Sequence, residues 1–318
     1  MRTIHHRLSL EHIAEAARTI DPVFMRSPQF LCEPLSELPD IALVLKVETL
    51  NPIRSFKGRG ADFLVSRVPP GTSLVCASAG NFGQAMAYAC RKRGVQLTVY
   101  AATSANVLKV ERMRSLGATV VLSGKDFDDA KLEARHAART TGARFVEDSL
   151  DIETLTGAGT IGLELLELPG PLDALLVALG NGALFTGVAR VIKECCPQVQ
   201  MIAVQAAGAP AMVESWRAGQ IIVHDQIQTI ADGIGVRLPI PQALEDIRDL
   251  IDRAILVQED SLLRAMRLLH QHIGIVVEPS AAVGVAALLE QPDAFRGKTI
   301  GTIVCGSNLT TEQMREWL

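Results

Sequence analysis

Aromatic side chains are scarce in this chain: two Trp, two Tyr and nine Phe make up 4% of its 318 residues. The core must therefore come from the Ala, Val, Leu and Ile that dominate the 48% apolar fraction. Such residues suit buried parallel strands covered by helices. Strong charge of one sign is missing too. A net charge of −4, spread along the chain, gives no footing for nucleic acid or an anionic membrane surface. The six cysteines (Cys32, Cys76, Cys90, Cys195, Cys196 and Cys305) show no C-x-x-C spacing. The start, "MRTIHHRLSLEH", is polar and lacks the apolar stretch of a leader. A cytoplasmic location with reduced thiols is expected. One run, 172–192, is apolar enough to suggest a membrane span, but Gly-Asn-Gly interrupts it and Asp173 and Arg190 lie within it. A buried strand, a loop and a helix explain it better. No short-period repeat is present, and with so mild a charge a small molecule is the expected ligand.

What is there is alternation. Strands are predicted at 41–48, 73–78, 96–101, 118–123, 143–147, 174–179, 200–205, 254–258 and 299–305. Helical patterns fall between them at 82–93, 107–115, 126–141, 157–168, 184–195, 260–273 and 279–290. This predicts an α/β protein with mostly parallel, twisted sheets flanked by helices. The pattern runs past the usual size of one sheet, which favours two domains sharing an extensive interface. Ligands of such sheets bind beyond the carboxyl ends of the strands, so the strand-to-helix loops carry the chemistry.

Four of those loops are unusual. "NPIRSFKGRGA" (51–61) places Lys57 where a strand becomes a helix, with Gly58 and Gly60 leaving the backbone uncrowded. An amine there can condense with a carbonyl or act as a base. The same letters, with Arg54 and Arg59, also fit a solvated helix face. "CASAGNFGQAMAYAC" (76–90) sets Ser78, Ala79, Gly80 and Asn81 before a clear helix, as an anion site at its N-terminus or as simple capping. "ALGNGALFTGVARVIK" (178–193) has Gly180, Gly182 and Gly187 around a turn that resembles a phosphate nest, without a nucleotide-binding fingerprint. "IVCGSNLTTEQ" (303–313) ends a strand on Cys305, which has no basic neighbour in sequence and is a poor candidate for a low-pKa nucleophile.

In order and spacing, "SFKGRGA", "SAGN", "GNGAL", "EPSAA" and "CGSN" resemble the fold-type II enzymes that depend on pyridoxal phosphate. Serine and threonine dehydratases, serine racemase, threonine synthase and cysteine synthase are among them. The resemblance spans nearly the whole chain and includes "LSLEHIAEAARTI", "TGAGTIGLELLE" (156–167) and "ADGIGV" (231–236). It implies a large cofactor-binding domain of residues 1–45 plus 146–318 and a small, substrate-contacting domain of 46–145. Carried over, it implies that Lys57 holds pyridoxal 5'-phosphate as a Schiff base and moves the Cα proton. Phe56 would pack beside the cofactor and Asn81 would bond its ring oxygen. Gly180, Asn181, Gly182, Ala183 and Leu184 would bind its phosphate, and Cys305 would face its ring nitrogen with Glu278 nearby. Ser78 and the backbone of Ala79, Gly80, Asn81 and Phe82 would hold the substrate carboxylate. A homodimer is expected on the same basis.

Departures from the family narrow the activity. Ala79 stands where serine racemase has an acid–base serine, so racemisation is disfavoured. Gln205 and Ala211 stand where metal-assisted members have carboxylates, so no metal is expected. The chain ends at Leu318, so feedback by isoleucine through a C-terminal regulatory domain is not expected. A thiol at Cys305 need not keep the ring nitrogen protonated, which suits elimination. The expected activity is an ammonia-lyase that converts a 3-hydroxy L-amino acid (threonine, serine or a bulkier analogue) to a 2-oxo acid. The alternatives are a threonine-synthase-like or β-replacement lyase, and a non-catalytic protein that binds the cofactor. Ile53-Arg54 replaces the family's common Thr-Gly, and Phe82 a common His. Arg54 is thus a candidate contact for a substrate larger than serine.

Overall fold

The computed structural model describes residues 6–32, 38 and 40–318, so part of the polar start lies outside the described residues. All nine predicted strands are present, joined by an unpredicted tenth, β1 (Gln29–Cys32), at one edge. The others are β2 (Ala42–Val47), β3 (Leu74–Ala77), β4 (Leu97–Ala101), β5 (Thr119–Leu122), β6 (Arg144–Val146), β7 (Ala174–Ala178), β8 (Gln200–Ala206), β9 (Arg253–Val257) and β10 (Thr299–Val304). They form a six-stranded sheet in the order β1-β2-β10-β7-β8-β9 and a four-stranded sheet in the order β5-β4-β3-β6. Every pairing is parallel except that of β1 with β2. The expected boundary at 45/46 falls inside β2, which stays in the larger sheet through Val47.

The helices that matter for the site are α1 (Leu10–Thr19), α2 (Lys57–Ser66), α3 (Asn81–Arg93), α4 (Val107–Ser115), α5 (Phe127–Thr141), α6 (Ile152–Leu165) and α7 (Ala183–Cys195). Capping explains several boundaries. The Asn106 side chain accepts from Leu108 N and Lys109 N at the start of α4, and Asp126 accepts from Asp129 N at the start of α5. The central strand β7, ALLVA, is buried along its whole length, as the continuous apolar run predicts. The run at 172–192 resolves into β7, a turn and α7, and no helix among the described residues is long and apolar enough to cross a membrane.

Helix α2 carries Lys57 and lies against α6 with almost no side chain between them. A Cβ on Gly60 would stand 2.7 Å from Thr154 O, and one on Gly157 would stand 2.5 Å from the Gly60 Cα. Glycine at both positions lets the two backbones touch. Beneath the same helix lies a sealed set of charges. Arg59, 0% exposed, donates to Glu48 at 2.8 Å and to Glu164 at 2.6 Å, while Lys46 reaches Glu164 at 2.5 Å. Arg59 is therefore no part of a solvated helix face. A cation that is paired on every side costs less to bury than one paired on none.

Candidate active site

Loops from the ends of β2, β3, β6, β7 and β10 meet in one place, joined by hydrogen bonds and an ion pair. Phe56 N donates to Cys305 O (3.1 Å) and Ser307 N to Arg54 O (3.0 Å), tying the loop after β2 to the loop after β10. Asn308 Nδ2 donates to Asn81 Oδ1 (2.8 Å), and Asn81 Nδ2 to Glu278 Oε1 (2.7 Å), which brings in the start of α3. Ser149 Oγ accepts from Ala183 N (3.3 Å), linking the loop after β6 to the one after β7.

Lys57 opens α2 and is only partly exposed. Its Nζ lies 2.5 Å from Asp148 Oδ2 and 4.6 Å from the centre of the Phe56 ring. Lys57, Phe56, Phe82, Asp148, Gly60, Ala61 and Thr154 line a narrow gap. Asp148 was not singled out from sequence, although it lies just past the end of a predicted strand, where the strand-end rule points.

The serine loop is more self-engaged than expected. Ser78 Oγ accepts from Gly80 N (3.2 Å) and Gly83 N (2.9 Å), which leaves its hydroxyl proton to donate elsewhere. Gly80 N is therefore not among the open donors, whereas the amides of Ala79, Asn81 and Phe82 have no partner among the described residues. A similar shift occurs at α7. Of its unpaired first-turn amides, that of Ala183 goes to Ser149, leaving those of Gly182, Leu184 and Phe185 open. Gly182 caps this helix at φ 97°, a conformation that glycine adopts at little cost.

Burial and charge set the protonation of the deepest groups. Burial, joined by the charge of Asp232, pushes Glu278 up to about 7, against the pull of Lys109, the Asn308 amide and Asn81. The Cys305 thiol is pushed up by burial and by Glu278, and its Sγ sits 3.6 Å from Ser280 O. It is a neutral thiol and not a nucleophile. Lys109 on α4 reaches Asp232 at 2.5 Å, and Arg112 on the same helix donates to Asn308 Oδ1 at 2.7 Å. Neither residue was singled out from sequence, because no loop signal marks a helix face.

These residues fit a phosphorylated group with an electrophilic carbonyl. Asn181 Oδ1 and Asp148 Oδ1, from the loops after β7 and β6, and Ser280 Oγ, in the first turn of the helix Pro279–Glu290, are buried without a hydrogen-bond partner. Buried polar atoms of this kind call for a ligand or water. Three open amides at a helix N-terminus suit a phosphate, and an amine within the same group of loops suits a carbonyl.

A family profile described as "Pyridoxal-phosphate dependent enzyme" matches residues 20–306. The chain is 34% identical over 305 residues to the L-threonine ammonia-lyase of Thermotoga maritima, covering 95% of this chain and 76% of that one. It is 37% identical over 278 residues to the L-threonine ammonia-lyase of Geobacter sulfurreducens, covering 86% and 69%. Maize serine racemase superposes with a TM-score of 0.90 at 28% identity, covering 97% of this chain and 96% of that one. The chain belongs to the pyridoxal-phosphate dependent enzyme family, and pyridoxal 5'-phosphate is its cofactor.

Proposed function

We propose that the chain is an ammonia-lyase acting on a 3-hydroxy L-amino acid, which it converts to a 2-oxo acid and ammonia. The observation that carries this reading is Lys57 Nζ, the one amine in the gap between Phe56, Phe82 and Asp148. Lys57 would hold the cofactor covalently. The open amides of Gly182, Leu184 and Phe185, with Gly180 and Asn181 beside them, would hold its phosphate, and Phe56 would pack on its face. Asn81 has a second amide hydrogen to offer the ring oxygen, and Cys305 Sγ, uncharged, would stand at the ring nitrogen. Bound there, pyridoxal phosphate supplies the electron sink that lets a Cα–H bond break.

The chain's own groups do the rest. The hydroxyl of Ser78 and the amides of Ala79, Asn81 and Phe82 bind and orient the substrate carboxylate. Lys57 Nζ takes the proton from Cα, and Asp148 steadies the resulting ammonium. Ala79 carries no proton, so no second acid–base group acts from its position. Loss of the β-hydroxyl as water leaves an enamine, which hydrolyses after release to the 2-oxo acid and ammonia. The reading includes a cytoplasmic homodimer. Cys76, Cys90, Cys195, Cys196 and Cys305 are free thiols, which supports a reducing compartment. It also includes two domains that follow the two sheets, the smaller one starting after Val47 and reaching Val146.

An absorbance spectrum with a substrate panel tests it. The purified protein should carry the band of lysine-bound cofactor and release ammonia and 2-oxo acid from 3-hydroxy amino acids. Lys57→Ala should lose both. A protein that takes up no cofactor, or a Lys57→Ala variant that keeps full turnover, would overturn the reading.

A further inference from the structure

Two arginines next to the site loops, Arg54 and Arg112, form no ion pair among the described residues. Arg54 is exposed and adopts φ 53°, a left-handed conformation that residues with a Cβ rarely hold. The turn is fixed by its neighbours: Arg54 N donates to Asn51 O (3.0 Å), and Ser307 N donates to Arg54 O (3.0 Å). A side chain kept at a backbone position that favours glycine points to use and not to packing.

The second arginine comes from α4. Arg112 Nη1 donates to Asn308 Oδ1 (2.7 Å), and Asn308 Nδ2 donates both to Ile53 O (2.9 Å) and to Asn81 Oδ1 (2.8 Å). One asparagine thus joins the Arg54 loop, the Arg112 helix and the amide that opens α3. Burial and the nearby charge of Arg54 hold the Arg112 pKa below its usual value. Among the described residues neither guanidinium has an ion-pair partner. Like charges left together without a counter-ion are unfavourable until an anion arrives. Because Asn308 joins Arg112 and the Arg54 loop to Asn81, the anion they meet is at the substrate end of the site.

We propose that Arg54 and Arg112 recognise a second carboxylate on the substrate, so that the preferred substrate is a 3-hydroxy dicarboxylic amino acid. This deepens the ammonia-lyase reading and rests on it. The chemistry is unchanged: the Cα–H and Cβ–O bonds break, water leaves, and hydrolysis of the enamine gives a 2-oxo dicarboxylic acid and ammonia. The guanidinium fork matches carboxylate geometry.

The test is kcat/KM on L-threonine, L-serine, 3-phenylserine and 3-hydroxyaspartate, with the holoenzyme and with Arg54→Gly, Arg54→Lys, Arg112→Ala and Arg112→Lys. Hydroxyaspartate should exceed threonine by about ten- to a hundredfold, the range that charge-assisted hydrogen bonds supply. In Arg54→Gly and Arg112→Ala that ratio should fall about tenfold or more, mainly through KM, and the lysine variants should retain part of it. Arg54→Gly places glycine in a conformation it favours, so it serves even if Arg112→Ala fails to fold. A ratio unmoved while all substrates decline together would make the arginines positioning residues for Asn308 and overturn the inference. Preference for threonine, serine or phenylserine in the parent enzyme would overturn it while leaving the lyase reading intact. No ammonia from any of the four would overturn both.

Discussion

Arg54 and Arg59 flank Lys57 in one short stretch and meet opposite fates. Arg59 is wholly buried, and its guanidinium is shared among Glu48, Glu164 and the Thr160 hydroxyl. Arg54 is exposed and has no ion-pair partner among the described residues, and its charge helps to lower the pKa of Arg112. The carboxylates differ in the same way. Glu164 is held below its usual range: burial opposes this, but Arg59 and Lys46 prevail. Glu278 has no cation in contact and is raised by its burial. Beneath α2 the fold supplies a partner for every charge. Above it, charges and polar atoms are left open, which is what a site awaiting an ionic ligand requires.

The most damaging way to break this comparison is to remove the buried cation. Arg59→Met leaves Glu48 facing no cation and Glu164 only Lys46, and it should cost about 3–5 kcal/mol, the scale of a buried ion pair broken from one side. Chemical denaturation of variant and parent measures this directly. A midpoint unchanged by Arg59→Met would mean that the sealed network is no more than a surface pair in effect. Because α2 also carries Lys57, cofactor uptake should weaken in the same variant.

This contrast was not legible in the sequence. Lys46 sits in a run read as an apolar strand, Glu164 in a helical pattern, and Arg59 had no reading beyond a solvated helix face, although Arg54 stood out as a candidate substrate contact. Periodicity reports where apolar residues face, and it says nothing about which charges are buried together. The four loops were legible because small and capping residues at strand ends leave a local signature. Asp148 lay within reach of the same rule. Arg112 did not, and Asn308, although it lies in the fourth loop, takes its role from contacts between distant segments. Strand β1 escaped because it is short and lies antiparallel at an edge, where Phe30 and Leu31 face outward. Helix α6 starts at Ile152 and not at 157, because Thr154 and Leu155 are already packed in its first turn.

The open side is sharpened by pH. A carboxyl raised from 4.5 to about 7 in the folded protein keeps its proton where the unfolded chain has released it. The stability it contributes is therefore complete below about 4.5 and is lost as pH rises to about 7, by roughly 3 kcal/mol in all. In the cofactor-free protein, Glu278→Gln should flatten that slope, read as the difference between two denaturation series across this window. Equal slopes in both proteins would place Glu278 among well-solvated carboxylates and remove one half of the contrast.

The smallest effect has the opposite sign to the largest. Arg54→Gly removes a Cβ from a left-handed residue and separates Arg112 from a like charge. Relief of backbone strain is worth about 1–2 kcal/mol. The greater freedom of glycine in the unfolded chain returns about 0.5–1 kcal/mol of that. The net should be a gain of between zero and about 1.5 kcal/mol, seen as a small rise in the unfolding midpoint. One arginine of this stretch would then be lost at great cost to the fold and the other at none, with the second loss appearing only in the choice of substrate. A fall in stability on Arg54→Gly would show that Arg54 is paired within the fold after all, and the two arginines would no longer be opposites.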